Sequence, residues 1–344
     1  MVGHSGMNWA RRAALVLAVG ASLTTWAGTA AAEAAKTYTM KLGSLTINDE
    51  VYQWLKIFVA GIESKSGGRL KGVIFPSSQL GSAPREIEGT QFGAIQAVAF
   101  PPDFFSGVDE RFEVASAPGT FSSLDQVNRV VFDPQFRKAF LSLGSNKGLI
   151  GLSLFVNAPV TVLTRKPVRR LADFKGLKIR ILASDFQIQQ IKRLDATPVA
   201  MSLGDVMPAL QQGTIDGALA SVPAFTPLHF YDAAKYMTET SQYYVLIVVE
   251  MSKKWFDTLP ADLQKIILDE GTIAAHDIVP WAAQDLKDQK KVWTSHGGEL
   301  IELPPKDEAE LMKRMSTIAE DVGKKHPAIA SMYQELKAAV KRNP

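Results

Sequence analysis

LADFKGLKIRILASDFQIQQIKRLDATPVAMSLGDVMPALQQGTIDG, residues 171–217, carries the reading of the fold. Asp173 is placed to start a turn ahead of the apolar run GLKIRIL, which has the length and branched residues of a strand. Phe186, Ile188, Ile191 and Leu194 then mark a helix from Asp185 to Leu194. Ser202 to Asp205 looks like a capping box opening a second helix, Gly213 ends it, and TIDGALAS returns to strand. Strand, helix, helix, strand is the rhythm of an α/β protein. One residue breaks the pattern: Arg180 places a guanidinium inside an otherwise apolar strand.

The same rhythm extends outward. TYTMKLGSL (37–45), GRLKGVIFP, AIQAVAF, GLIGLSLF, VTVLTR, YYVLIVVEMS and ELIEL read as strands. Val51, Trp54, Leu55, Phe58, Val59 and Ile62 recur at helical spacing, and Gly67-Gly68 stop that helix. Pro84 suits a helix's first turn, and Ser123 to Gln126 forms a capping box. YYVLIVVEMS is apolar throughout, which implies burial on both faces. From Pro260 to about His296 runs one long helical pattern of roughly 50 Å, with Pro280 expected to kink it. Sheets of this class bind ligands beyond the carboxyl ends of their strands. That directs the search to Phe100, Asn157, Leu182, Ser221 and the segment before Tyr243.

The 344 residues are 46% hydrophobic and 21% charged, an ordinary globular balance and enough chain for about two domains. At the N-terminus Arg11-Arg12, an apolar stretch from Ala13 to Gly20, and Ala30-Ala31-Ala32 make a secretory signal, giving a leader over 1–32. Its removal takes both arginines and lowers the formal charge from +3 to +1. No basic run remains, so no nucleic-acid partner is expected. There is no cysteine, which excludes disulfides, thiolate nucleophiles and thiolate metal sites. His4, His229, His276, His296 and His326 lack metal-ligand spacing, and no nucleophile elbow, P-loop or dinucleotide fingerprint is present. No catalytic group, metal or cofactor is therefore expected.

In this setting LADFKGLKIR followed by TPVAMSLGDVMPALQQGTIDG resembles the solute-binding proteins of tripartite ATP-independent periplasmic (TRAP) transporters, the DctP-like family. Pro198, Met201, Asp205, Val206, Ala209, Leu210, Gln211, Gly213, Asp216 and Gly217 fall on the family pattern without a gap. SGGRLKGVIFPSSQLGSAPREIEG and SKKWFDTLPADLQK extend the likeness, from about Tyr38 to about Leu303. The resemblance implies a two-domain periplasmic clamshell with mixed and parallel sheets, crossing hinge strands and a long bridging helix. Mapped here, 36–158 with about 245–275 form one lobe and 159–244 with about 298–325 the other. The bridging helix spans about 260–296, and C-terminal helices fill 305–344. It also implies an organic-acid ligand, membrane permease subunits as partners, a periplasmic location and a monomer.

By the same resemblance Arg180 anchors the ligand carboxylate, consistent with a planar fork that cannot discharge. The alternative is an internal ion pair with Asp103, Asp185 or Asp216. Many members carry a second Arg where this chain has Val160, an Asn where it has Ala220, and a Pro where it has Leu182. A pocket with one cation and greasier walls points to a monocarboxylate with an apolar or aromatic body. Phe100, Phe104, Phe225 and Tyr243 are candidate contacts, with Asn157, Ser221 and Tyr244 as candidate polar groups. The alternatives are a C4-dicarboxylate or other oxo or hydroxy acid, a ligand-presenting sensor, and an enzyme on the same scaffold using His229.

Overall fold

A computed structural model describes residues 36–344. The proposed leader, 1–32, lies outside the described residues. Nine strands are present: β1 (Tyr38–Ser44), β2 (Leu70–Phe75), β3 (Ala97–Phe100), β4 (Leu149–Thr164), β5 (Lys178–Ile181), β6 (Thr197–Ala200), β7 (Gly217–Ser221), β8 (Tyr236–Ser252) and β9 (Glu299–Glu302). They form one sheet in the order β2-β1-β3-β8-β4-β7-β5-β6, with β9 on β8.

Within that order the sheet has two parallel ends and an antiparallel middle. β1 pairs parallel with β2 and β3, and β5 pairs parallel with β6 and β7. Between them β4 and β8 run antiparallel along nearly their whole length. The first half of β4 and the last half of β8 pair beside β3, while their other halves pair beside β7 and β9.

GLIGLSLF and VTVLTR are therefore one 16-residue strand rather than two. Pro159 sits beside a register irregularity between Pro159 and Thr161, where its missing N–H disrupts little. YYVLIVVEMS extends backward to Tyr236, and residues 246–252 are buried throughout, as expected of a strand held between two neighbours. TPVA pairs as edge strand β6, a place where Pro198 is tolerated.

Local signals behave as their chemistry predicts in most places. The Asp173 carboxylate accepts from the Arg169 and Arg170 amides at 2.9 Å and opens a short 3₁₀ turn, Leu171–Phe174. Ser123 caps the helix Leu124–Val131 by accepting from the Gln126 amide, but the Gln126 side chain bonds Ser122 instead of closing the box. Ser202 makes no capping bond; a 3₁₀ turn, Leu203–Asp205, leads into the helix Val206–Gln212 instead. Gly213 ends that helix with φ 71°, a left-handed position suited to glycine. The helix Ala261–Ser295 continues through Pro280.

Two apolar clusters anchor the ends. Trp54 and Phe58 of the helix Glu50–Lys65 stack at 5.0 Å, and Trp54 stacks on Phe155 of β4 at 5.7 Å. Leu263, Ile267 and Ile278 of the long helix join this cluster. At the other end Ile179, Ile181, Phe186 and Ile191 pack with Leu311, Ile318 and Ile329 of the C-terminal helices. Among the described residues no helix is long and apolar enough to cross a membrane.

Candidate ligand-binding site

A cavity opens where the carboxyl ends of β1, β3, β5 and β7 face the middle of β8. Arg180 projects from β5 on the side opposite Ile179 and Ile181, whose alternation fixes them in the core. It is 2% exposed. Its Nε donates to the Met201 carbonyl at 3.0 Å, while Nη2 has no partner. Burial pushes the guanidinium down to about 10, with Tyr243 and Asp205 pulling the other way.

The three aspartates that offered to neutralise it are engaged elsewhere. Asp103 accepts from the Ser116 hydroxyl at 2.7 Å, Asp216 from the Lys178 amide at 2.9 Å, and Asp185 sits 2.8 Å from His326 Nε2. A buried guanidinium needs an anion, and none of these supplies one. None of the three hydrogen-bonds Arg180.

Leu182, Ala220, Ser221, Asn157, Tyr243 and Phe104 line the cavity with Arg180. The Asn157 amide donates to a carboxylate oxygen of Glu50 and leaves its Oδ1 unpaired; the Ser221 hydroxyl is also unpaired. Burial, and then the Asp103 carboxylate, push the Tyr243 phenol above its ordinary range, so it remains a neutral hydroxyl.

Phe100, Phe225 and Val160 are not among the lining residues. Strand alternation gives the cavity Ala99 and turns Phe100 onto Phe104 and Phe105, both at 6.1 Å. Ala224 lines the cavity, while Phe225 packs on Phe230 at 5.3 Å. Val160 is fully buried with Val162, Leu219 and Tyr243. Tyr244 packs on Phe121, and His229 stacks on Tyr231, away from the lining.

One acid was missed, and a second was read only as a possible ion-pair partner of Arg180. Asp49 and Asp103 both line the cavity and are 1% and 3% exposed. Burial pushes Asp103 up to about 6, against the Ser116 hydrogen bond and the nearby Ser184 and Gln187 side chains. It also raises Asp49, helped by the Asp285 carboxylate. Asp49 is the N-cap of the helix Glu50–Lys65, accepting from the Tyr52 amide at 3.0 Å. Searching the carboxyl end of β1 as well as of β3, β5 and β7 would have found it. Among the described residues no group of three or more His, Cys, Asp or Glu is placed to hold a metal ion.

Residues 44–326 match the family of bacterial extracellular solute-binding proteins, family 7. The chain belongs to that family. It is 26% identical over 260 residues to the C4-dicarboxylate-binding periplasmic protein DctP of Shewanella loihica, covering 75% of this chain and 76% of the relative. A TRAP periplasmic solute-binding protein from Desulfovibrio salexigens, solved with orotic acid, superposes with TM-score 0.81 at 24% identity, over 88% of this chain and all of that one. The sugar acid binding protein of Advenella mimigardefordensis, in complex with galactonate, gives TM-score 0.84 at 21% identity, over 90% and 99%. The fold is thus the two-domain α/β architecture of TRAP solute-binding proteins, as the motifs of residues 171–217 imply.

Proposed function

We propose that this chain, exported with residues 1–32 removed, works in the periplasm as a monomer. It captures an organic acid and delivers it to TRAP permease subunits in the membrane. The observation that carries the reading is the buried, unneutralised guanidinium of Arg180 facing a cavity. A carboxylate fits its fork in two parallel hydrogen bonds. The two parallel ends of the sheet act as lobes that close about β4 and β8. His229, the candidate for the enzyme alternative, lies outside the lining.

Among organic acids we favour a monocarboxylate with an apolar or aromatic body. Leu182, Ala220, Leu203, Val245 and Ile247 supply apolar wall, and Phe104 offers an aromatic face. A second ligand carboxylate would meet Asp49 and Asp103 rather than a second cation, and like charges repel strongly where water is excluded. The Shewanella relative is named for C4-dicarboxylates, which keeps a dicarboxylate as the competing reading. A thermal-shift screen decides between them, because a ligand that binds only the folded state raises its melting temperature. Aromatic and aliphatic monocarboxylates are expected to stabilise more than malate, succinate or sialate. Preferential stabilisation by the dicarboxylates would overturn the monocarboxylate reading.

A further inference from the structure

The cavity holds charges of both signs that do not neutralise each other. Arg180 comes from β5, in one parallel end of the sheet, while Asp49 and Asp103 follow β1 and β3 in the other. Neither aspartate hydrogen-bonds the guanidinium, whose Nη2 has no partner. Each has one engaged oxygen and one bare one. Asp49 accepts from the Tyr52 amide through Oδ1, and its Oδ2 has no partner. Asp103 accepts from Ser116 through Oδ2, and its Oδ1 has no partner. Asn157 adds a third bare acceptor, Oδ1, because its amide nitrogen is committed to Glu50.

Once a ligand carboxylate occupies Arg180, Asp49 Oδ2, Asp103 Oδ1 and Asn157 Oδ1 remain unpaired, and the nearby Thr46, Ser184 and Ser221 offer only neutral hydroxyls. Buried acceptors are nearly always paired, so the ligand is the natural source of what is missing. A hydroxyl brings one donor, whereas an ammonium brings three and carries the charge that offsets two carboxylates. Among the described residues no group of three or more His, Cys, Asp or Glu is placed to hold a metal ion, which favours an ammonium.

We propose that the solute is a zwitterion: a carboxylate held by Arg180, an apolar chain along the cavity wall, and an amine directed to Asp49 and Asp103. This rests on the acid-binding reading above and narrows it.

A matched series tests it. Pentanoate, 5-aminopentanoate, 5-hydroxypentanoate and glutarate share one chain and differ at the far end. Titration calorimetry at pH 7.5 on the mature full chain should rank 5-aminopentanoate at least about tenfold tighter than pentanoate, with glutarate weakest. In Asp103→Asn the ratio of aminopentanoate to pentanoate affinity should shrink to below about threefold, because the ionic partner is gone. Asp49→Asn gives a second check, since Asn also caps a helix and should preserve the fold. Pentanoate or 5-hydroxypentanoate binding as tightly as the amine would overturn the zwitterion while leaving acid capture intact. If no member of the series binds, the zwitterion falls as well, and acid capture is judged by the thermal-shift screen alone.

Discussion

Two ionic sites in this molecule, one near the surface and one buried, have opposite fates. Asp133 caps the helix Pro134–Leu141 and is clasped by Arg342, with Nε and Nη2 at 2.8 and 2.6 Å and Asn343 adding a third bond at 3.1 Å. The Arg342 guanidinium holds the Asp133 carboxyl well below the usual range. Arg180 is deeper, yet it has a single bond to a backbone carbonyl and no acid. The first site closes the C-terminal helix against the body and is complete. The second is incomplete and faces a cavity. Burial of a charge does not by itself mark a functional site; Arg180 stands out because it is buried without an acid and faces a cavity.

The contrast breaks most visibly at Arg180. Arg180→Ala should weaken acid binding about a hundredfold or more while leaving the unliganded melting temperature unchanged or raised, since an unpaired buried charge is removed. Arg180→Lys should fall between wild type and Ala because the bidentate geometry is lost. Calorimetry and thermal melts read both. Equal affinity in wild type and Arg180→Ala would end the anchor role.

Asp133→Ala should do the reverse. Stability in urea should drop by about 2 kcal/mol, from a lost cap and a lost charge-assisted bond, with affinity unchanged. The sign with pH is fixed by the lowered carboxyl. Its contribution is fully present above the ordinary aspartate value and is lost as pH falls through the lowered folded value. The gap between wild type and Asp133→Asn should therefore start to narrow below about pH 4 and close only as pH approaches the lowered folded value.

A smaller effect is expected at His326, whose ring sits 2.8 Å from both Glu110 and Asp185. Glu110, then Asp185, raise its affinity for a proton. The raised value makes this contribution present below about pH 6.5 and lost as pH rises through the folded value. His326→Gln should lower the melting temperature by on the order of 1 °C at pH 6, and the gap should close in alkali. A gap that widens with pH would show that the contact is not ionic.

The sequence by itself determined the alternation of strands and helices, the strand carrying Arg180, and the apolar character of positions 182 and 220. Those are properties of periods and residue types, and short-range chemistry decides them. It could not show that GLIGLSLF and VTVLTR are one strand, because only pairing with β8 and β7 holds the two together across Pro159. Nor could it assign Phe100 and Phe225. Both flank a cavity-lining alanine, and a shift of one residue decides between core and cavity. Only the tertiary structure brought Asp49 and Asp103 to the same cavity as a guanidinium roughly eighty or more positions away in the chain, and only it showed that no internal acid had claimed that charge. The physical reason is range. Backbone preference and hydrophobic period act over a few residues, whereas the pairing of a buried charge depends on which distant side chains the fold brings within a few ångströms.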